Sequence, residues 1–380
     1  MGILLLVIGI ILFIGLIVVH EWGHFVAARR SGVEAEEFGI FFPPRLYTRK
    51  MKDGWLFSIN LIPLGGFVKL KGEHDSDTEP GSFGAASTWA KTKIMAAGVF
   101  MNLVVALILF TILALIGMPK LVDNQYTVKS DTHLVTHQVL ASYIEPGSPA
   151  DKAGLKAEDQ LNDIGLPGYS PVGVTSADQL PDLTKRFAGK TAIIYYTRDG
   201  EQRTAKATLR GPNSHSGYLG VVPMEYTLQR STWSAPIVAV GFSAQVTALT
   251  FQGLGHALGG LGSLIAGAVT GNHTAREHGQ TAATSQVAGP VGIFVILKDG
   301  SLLGYQFMLM IIAIVSLTLA IMNILPIPAL DGGRLWTVLI SRALKKPLSA
   351  RAEEAINAVG FVILFGLIIA ITTVDIQRFF

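Results

Sequence analysis

The stretch GILLLVIGIILFIGLIVVHEWGH, residues 2–24, decides how the rest of this chain is interpreted. Residues 2–19 are uninterrupted apolar sequence, which as a helix would extend for about 27 Å at about 1.5 Å per residue. That length nearly matches the hydrocarbon core of a bilayer. No basic residue precedes the run and no small-residue cleavage site follows it, so we expect a retained transmembrane helix and not a cleaved signal peptide.

The composition of the whole chain is that of a membrane protein with a polar part. Of its 380 residues, 50% are hydrophobic and 15% are charged, whereas soluble domains carry about 25% charged residues. The net charge of +3 is small, so nucleic acid is not an expected partner. The absence of cysteine excludes disulfides, thiolate catalysis and thiolate metal sites.

Three further apolar runs, at residues 94–119, 307–325 and 355–374, predict membrane-spanning helices. We therefore predict an α-helical polytopic membrane protein with four transmembrane helices. A fifth apolar stretch, residues 233–268, is rich in Gly, Ser, Thr and Gln. For this stretch we expect an amphipathic helix at the outer membrane surface, with a fifth span as the alternative.

The distribution of Lys and Arg predicts the orientation of the chain in the membrane. Basic residues are concentrated in the first connection between spans and in the short third connection, and none precedes the first span. By the positive-inside rule, these two connections are cytoplasmic. The N-terminus, the long second connection and the C-terminus are then extracytoplasmic.

The sequence divides into four regions. Residues 1–120 contain the first two spans and, between them, the apolar, β-prone stretch 55–71. Its Pro-Leu-Gly-Gly break predicts a β-hairpin, which we expect to be membrane-associated, with a small soluble hairpin as the alternative. Residues 121–228 have the composition of an inserted α+β globular domain. Residues 229–305 are expected to form the membrane-surface segment and a linker, and residues 306–380 the last two spans.

The motif His20-Glu21-x-x-His24 at the end of the first span predicts a catalytic metal site. Residues four apart in a helix lie on the same face, so both imidazoles can bind one ion. Glu21 between them can act as the general base on a metal-bound water. Two imidazoles and a carboxylate suit Zn²⁺, and ionisable groups at the end of a span are costly unless they have such a partner.

A catalytic zinc needs a third protein ligand, and Asp331 is the best candidate. It follows the third span in the segment Asn323-Ile-Leu-Pro-Ile-Pro-Ala-Leu-Asp331-Gly-Gly333, at the same expected depth as the two histidines. The alternative is a loop carboxylate that caps the next helix. The remaining histidines are less suitable, because most lie in regions expected on the other side of the membrane: His74, His133, His137, His215, His256, His273 and His278.

These motifs resemble those of the site-2 protease family of intramembrane zinc metalloproteases, in its bacterial regulator-of-sigma-E protease branch. The matching segments lie at residues 20–24, 38–40, 62–69, 289–293 and 323–333, so the resemblance extends over nearly the whole chain. Residues 146–155, PGSPADKAGL, resemble the signature of a PDZ domain, which implies a PDZ-like fold for the insert. One departure is Val99, which stands where the family usually has a proline.

The resemblance implies that His20, His24 and Asp331 bind Zn²⁺ and that Glu21 is the general base and acid. It also implies a bacterial inner-membrane location and a single-pass transmembrane substrate, such as an anti-sigma factor or a remnant signal peptide, already trimmed by another protease. The residues expected to hold the substrate in extended form are Leu61, Ile62, Pro63, Leu64, Gly65, Gly66 and Phe67 of the β-element, with Asn323, Pro326 and Pro328 after the third span.

Three other functions are compatible with parts of the sequence. A zinc protease of the prenyl-protein-processing type would use a glutamate as third ligand, for which Glu353 and Glu354 are available. A non-catalytic membrane scaffold could present the PDZ-like module, but it would have no use for Glu21. A metal transporter would need polar residues along several spans, whereas here they gather at one depth.

Overall fold

Long helices and two separate β-sheets make up the described part of the chain. The structure, a computed structural model, describes residues 2–74, 76–122, 124–198, 200–214, 217–270, 272, 274, 289–345 and 349–379. Its helices are α1 (Gly2–Arg30), α2 (Thr88–Ile116), α3 (Pro149–Lys152), α4 (Gln179–Arg186), α5 (Ala235–Thr270), α6 (Pro290–Leu302), α7 (Tyr305–Ile324), α8 (Asp331–Ala343) and α9 (Ala350–Phe379). The chain divides into one compact unit of residues 1–111 and 239–380 and a second of residues 112–238.

Five helices in the described part of the chain are long and apolar enough to cross a membrane, namely α1, α2, α5, α7 and α9. The predicted count of four is therefore not confirmed. Residues Ala235–Leu264 of α5 meet the same length and hydropathy criteria as the other four, so the preference for an amphipathic surface helix has no support. The coarser prediction, a helical membrane protein with a β-sheet unit, agrees with this architecture.

Helix α2 contains the second predicted span and ends three residues before the end of the apolar run 94–119. Helix α2 stops at Ile116 because Gly117 adopts a φ of +125°, which breaks the helical hydrogen-bond pattern. Met118–Pro119 then form strand β3. At its other end α2 begins at Thr88, earlier than the predicted residue 94, because charged residues are tolerated in a helix beyond the apolar core.

The β-element between α1 and α2 is larger than predicted and contains a turn that was not predicted. It consists of β1 (Ala35–Lys50) and β2 (Leu56–Leu70), and the turn lies between them at residues 51–55. The reversal predicted at the Pro-Leu-Gly-Gly segment is present, since residues 56–59 pair with residues 37–40 in the same order and residues 66–70 pair with residues 35–40 in the opposite order. The two arms of β2 do not form a simple hairpin, because the start of β1 lies between them. The start of β1 pairs antiparallel with the end of β2, from Ala35↔Leu70 to Ile40↔Gly66, and thereby brings Gly66 close to α1.

The unit of residues 112–238 is built on a seven-stranded sheet. Besides β3 it contains β4 (His133–Ile144), β5 (Gln160–Gly165), β6 (Val172–Gly173), β7 (Thr191–Arg198), β8 (Glu201–Thr208) and β9 (Val221–Arg230). The strand order is β3-β9-β4-β5-β7-β8, with β6 paired to β5. Leu180 and Leu183 of the amphipathic helix α4 are buried in its hydrophobic core with Ile164 and Ile194.

The core of the first unit fixes the position of the α1 motif. Leu16 of α1 is buried against Met308 and Ile312 of α7 and Leu297 of α6. These side chains are 1–3% exposed, and such contacts hold membrane helices together through van der Waals packing. Because Leu16 lies one helical turn before His20, this packing also turns His20 towards the interior of the unit.

Candidate metal centre

Helix α1 continues beyond its apolar run and carries His20 and His24 on one face. Both side chains are buried, with 8% and 9% of their surface exposed. Their Nε2 atoms lie 3.2 Å apart, as expected for residues one turn apart on the same face. The two imidazoles therefore converge on one point inside the helical unit.

The third member of the group, Asp331, comes from the other end of the chain. Its Oδ2 atom lies 2.9 Å from Nε2 of His20 and 3.1 Å from Nε2 of His24. Asp331 is placed by the turn after α7, where Pro326 and Pro328 prevent the helix from continuing. Glycine is required just after it, because a Cβ on Gly332 would lie 2.2 Å from a backbone oxygen.

The three ligand atoms have the spacing that a tetrahedral metal ion requires. Bonds of about 2.0–2.1 Å at tetrahedral angles place neighbouring ligand atoms about 3.3 Å apart. The observed separations are 2.9, 3.1 and 3.2 Å. Among the described residues, His20, His24 and Asp331 are the one group of histidine and carboxylate ligands close enough to share an ion. The donor set, two imidazoles and one carboxylate, fits a catalytic zinc.

Hydrogen bonds behind the imidazoles present the correct nitrogen to the ion. Nδ1 of His24 donates to the carbonyl of Ile94 at 2.7 Å, so the neutral ring has its lone pair on Nε2. Nδ1 of His20 lies 3.2 Å from the side-chain amide of Asn102. Oδ1 of that amide is buried and has no hydrogen-bond partner among the described residues. An amide turned by 180° would place Oδ1 as the acceptor for His20 Nδ1, which again leaves Nε2 free for the ion.

Helix α2 leaves room for the imidazoles by having a glycine opposite them. A Cβ on Gly98 would lie 2.4 Å from Nε2 of His24 and 2.6 Å from Nε2 of His20. No larger residue fits without displacing the two rings. Neither Gly98 nor Asn102 was identified as a site residue from the sequence. The signal that could have found them is their spacing, because they are four positions apart and so lie on one face of a predicted span.

Glu21 lines a cavity of about 280 Å³ together with His20 and Asp331. Gly66 of β2 also lines this cavity, and a Cβ on it would lie 3.0 Å from Cγ of Glu21. The carboxylate of Glu21 therefore lies beside the metal ligands without being one of them. A carboxylate in this position can exchange protons with a molecule bound in the cavity.

The residues predicted to bind substrate are divided by the structure. Gly65, Gly66 and Asn323 line the cavity with Glu21. Three others are exposed on β2 and outside the lining, namely Leu61, Ile62 and Pro63. Phe67 packs over Gly39 in the neighbouring strand, Pro328 contacts Gly360 of α9, and Pro326 is exposed. Leu64 belongs to β2, but its side chain lies outside the described part of the structure.

The glutamates considered as alternative third ligands lie elsewhere. Glu353 is buried and its carboxylate is 3.7 Å from the guanidinium of Arg334. Glu354 lies 3.4 Å from the imidazole of His74. Neither belongs to the ligand group. Three of the other histidines, His215, His273 and His278, are outside the described residues.

Comparison with known proteins yields matches along almost the whole chain. The sequence model of peptidase family M50 matches residues 8–367. A candidate zinc metalloprotease of Clostridium perfringens is 30% identical over 373 residues, which cover 98% of both chains. Another from Nostoc sp. is 30% identical over 359 residues, or 93% of this chain and 90% of the relative. Zinc metalloprotease RasP of Shouchella clausii is 25% identical over 457 residues, with 98% of both chains covered.

Proposed function

The chain belongs to peptidase family M50, the site-2 protease family, and from this premise we propose that it is an intramembrane zinc endopeptidase. The family match and the zinc metalloprotease names of the relatives confirm two predictions from the sequence motifs, namely the family and the Zn²⁺ cofactor. The bonds cleaved would lie within or next to transmembrane segments of membrane proteins. The observation that carries the proposal is the convergence of His20, His24 and Asp331 at the end of an apolar helix, with Glu21 in the same cavity.

The proposed roles of the side chains follow from their positions. His20, His24 and Asp331 would hold Zn²⁺, whose chemical contribution when bound is to polarise the scissile carbonyl and acidify water. Glu21 would take a proton from the attacking water and return it to the leaving amine. Ile94 and Asn102 would keep the two imidazoles in the tautomer that presents Nε2.

We infer that the substrate binds in extended form beside β2. A transmembrane helix cannot offer its backbone carbonyls to a catalytic site while they are hydrogen-bonded within the helix. Addition of the substrate as a strand to the β-element would satisfy those groups and hold the bond open. The contact of Gly66 with Glu21 supports this arrangement, because the end of β2 borders the catalytic cavity. Pro326 and Pro328 would shape the turn that carries Asp331.

The proposal includes the expected setting of the enzyme. It would reside in a bacterial inner membrane, with its N-terminus, inserted domain and C-terminus extracytoplasmic and its site near the cytoplasmic side. The insert would be PDZ-like, and the combination of helix α4 with several strands favours this fold. It would admit substrates that another protease has already trimmed and exclude those that are untrimmed. The natural substrate would be a single-pass protein, of the anti-sigma factor or remnant signal peptide type.

The test is cleavage of a single-span reporter by the purified full chain in detergent. We expect Glu21→Gln to retain one zinc per chain and to lose at least about a hundredfold in kcat, since general acid–base catalysis contributes roughly 10²–10⁴-fold. The exposed Glu79 offers a matched control, and Glu79→Gln should cleave like the wild type. Normal turnover by Glu21→Gln would remove Glu21 from the mechanism. A wild type that binds zinc and cleaves no membrane-embedded reporter would favour the non-catalytic scaffold.

A further inference from the structure

A groove on the outside of α1 and α2 is not used by the proposed mechanism. Its volume is about 430 Å³, and it lies between the end of α1 and the beginning of α2. Its floor is closed where the two helices touch, since a Cβ on Gly23 would lie 2.7 Å from the carbonyl oxygen of Ala97. His24 contacts Ile94 and His20 contacts Asn102, so α1 and α2 run in opposite directions and this groove lies at one end of both helices.

Two cations without acidic partners stand at this groove. Arg30 and Lys93 both line it, both are exposed, and neither forms an ion pair with any described residue. By contrast, the neighbouring Arg29 forms an ion pair with Asp53 at 2.9 Å. None of the residues that line the groove is acidic. The groove therefore carries positive charge that a ligand could neutralise.

Apart from Ser31, the rest of the groove lining is apolar or aromatic. Trp22 and Phe100 line it and are 46% and 62% exposed, and Met101 lies between the helices beside them. Trp89 lies outside the groove lining and is 70% exposed, and the centre of its ring is 5.9 Å from the ammonium of Lys93. Tryptophan at the end of a span, next to Lys and Arg, is typical of the level of lipid headgroups.

We propose that this groove binds one anionic phospholipid, with its phosphate between Arg30 and Lys93 and an acyl chain against Trp22, Phe100 and Met101. The combination of charge and apolar surface is what separates this ligand from a free anion or a zwitterionic lipid. Basic pockets between membrane helices on the cytoplasmic side bind anionic headgroups in this way. The proposal rests on the membrane placement of α1 and α2 and is independent of the proteolytic activity.

The lipid would lie directly beside the catalytic motif. Trp22 and Gly23 stand between His20 and His24 in α1, and Met101 precedes Asn102 in α2. The ligands face the interior of the unit, whereas these neighbouring residues face the groove. A bound lipid would thus hold the two helices at the turn that positions both imidazoles.

The test is native mass spectrometry of the purified, delipidated full chain in detergent. Phosphatidylglycerol and phosphatidylcholine with the same acyl chains, and inorganic phosphate, are offered separately. We expect one phosphatidylglycerol per chain, retained about tenfold better than phosphatidylcholine, since each basic residue near anionic headgroups adds severalfold to binding. The pair Arg30→Gln with Lys93→Gln should abolish this preference while zinc content stays at one per chain.

Two matched variants isolate the charges at the groove. Lys185→Gln with Arg186→Gln removes the same two charges from exposed positions in α4 and should retain the preference. Arg30→Lys with Lys93→Arg keeps both charges and should retain it as well. The proposal is overturned if the Arg30/Lys93 glutamine pair still prefers phosphatidylglycerol, or if the wild type retains both lipids equally. If inorganic phosphate binds and neither lipid does, the groove is an anion site. If the reporter displaces the lipid one for one, it is a substrate groove. Either result overturns the lipid assignment.

Discussion

Nε2 of His24 lies 3.1 Å from Oδ2 of Asp331, although 307 positions separate the two residues in the chain. One belongs to the first helix and the other begins the helix after α7. Such a contact exists only if α1 and α7 pack with their ends at the same depth, which the buried Leu16–Met308 layer ensures. The ligand group is therefore a product of helix packing, and its members can be tested one by one.

Asp331→Asn is expected to weaken zinc binding by more than the roughly 10–100-fold that loss of an outer-shell partner costs. The substitution preserves the shape of the side chain but removes the negative charge that faces the ion. Zinc per chain, measured by elemental analysis after dialysis against a weak chelator, should fall well below one. The exposed Asp299 in α6 provides the control, and Asp299→Asn should keep its zinc. Full zinc in Asp331→Asn would exclude Asp331 as a ligand.

Gly98→Ala should disrupt the site although alanine is the better helix former. The added Cβ would lie 2.4 Å from Nε2 of His24, so the imidazole must move away from the ion. We expect zinc affinity to fall at least about tenfold, with unchanged helical content, since Ala favours the helix by up to about 1 kcal/mol over Gly. Gly15→Ala in α1 is the matched control, because a Cβ added there would meet no described atom within 4 Å outside the backbone of α1. Equal zinc affinity in both variants would show that the space opposite the imidazoles is not needed.

Asn102→Leu is expected to reduce zinc affinity by about 10–100-fold without removing a ligand. Leucine has a similar volume but cannot hold the His20 ring through Nδ1. The control is Ser316→Ala, which removes the 2.8 Å hydrogen bond from Ser316 to the carbonyl of Asn102 and leaves the imidazole contact intact. Competition with a fluorescent zinc chelator measures both variants. If Ser316→Ala weakens zinc as strongly as Asn102→Leu, the effect comes from helix packing and not from the imidazole contact.

The inserted sheet unit should lose stability at acidic pH through Asp131. Desolvation raises the pKa of this carboxyl, but hydrogen bonds from the hydroxyls and backbone N–H groups of Ser234 and Thr232 lower it by more, so its pKa lies below the usual range. A depressed pKa contributes stability above the unfolded value of about 3.9, and this contribution is lost as the pH falls towards the folded pKa.

Asp131→Asn should therefore unfold at a lower temperature than the wild type at pH 7, and the difference should shrink as the pH approaches 3. Thermal unfolding of the full chain in detergent, followed by the circular dichroism of β-sheet, measures the difference. The exposed Asp182 in α4 supplies the control, and Asp182→Asn should follow the wild type at both pH values. A difference that does not change with pH would contradict the assigned role of the Asp131 charge.

The sequence predicted the local parts of this protein well and the extent of its irregular parts less well. Apolar runs of bilayer length identified α1, α2, α7 and α9, because hydrophobicity is a property of the segment itself. The fifth candidate, α5, was assigned to the membrane surface because a single extra span would have placed the basic third connection outside the cytoplasm. Its mean hydropathy is 1.4, against 2.5 or more in the other four. The reversal at the Pro-Leu-Gly-Gly segment was predicted correctly, because Pro and Gly disfavour a continuous strand there. Strand β1, which pairs with both arms of β2, was not predicted.

By itself, the sequence determined the family, the zinc cofactor and the apolar helices, because each is encoded in a motif or a run of neighbouring residues. Only the tertiary structure decided that Gly98 and Asn102 face the imidazoles and that Gly66 borders Glu21. It also decided that Pro326, Pro328 and Phe67 lie outside the cavity lining. The physical reason is that contacts between distant segments depend on how helices and strands pack, and side-chain packing is not a property of any one segment.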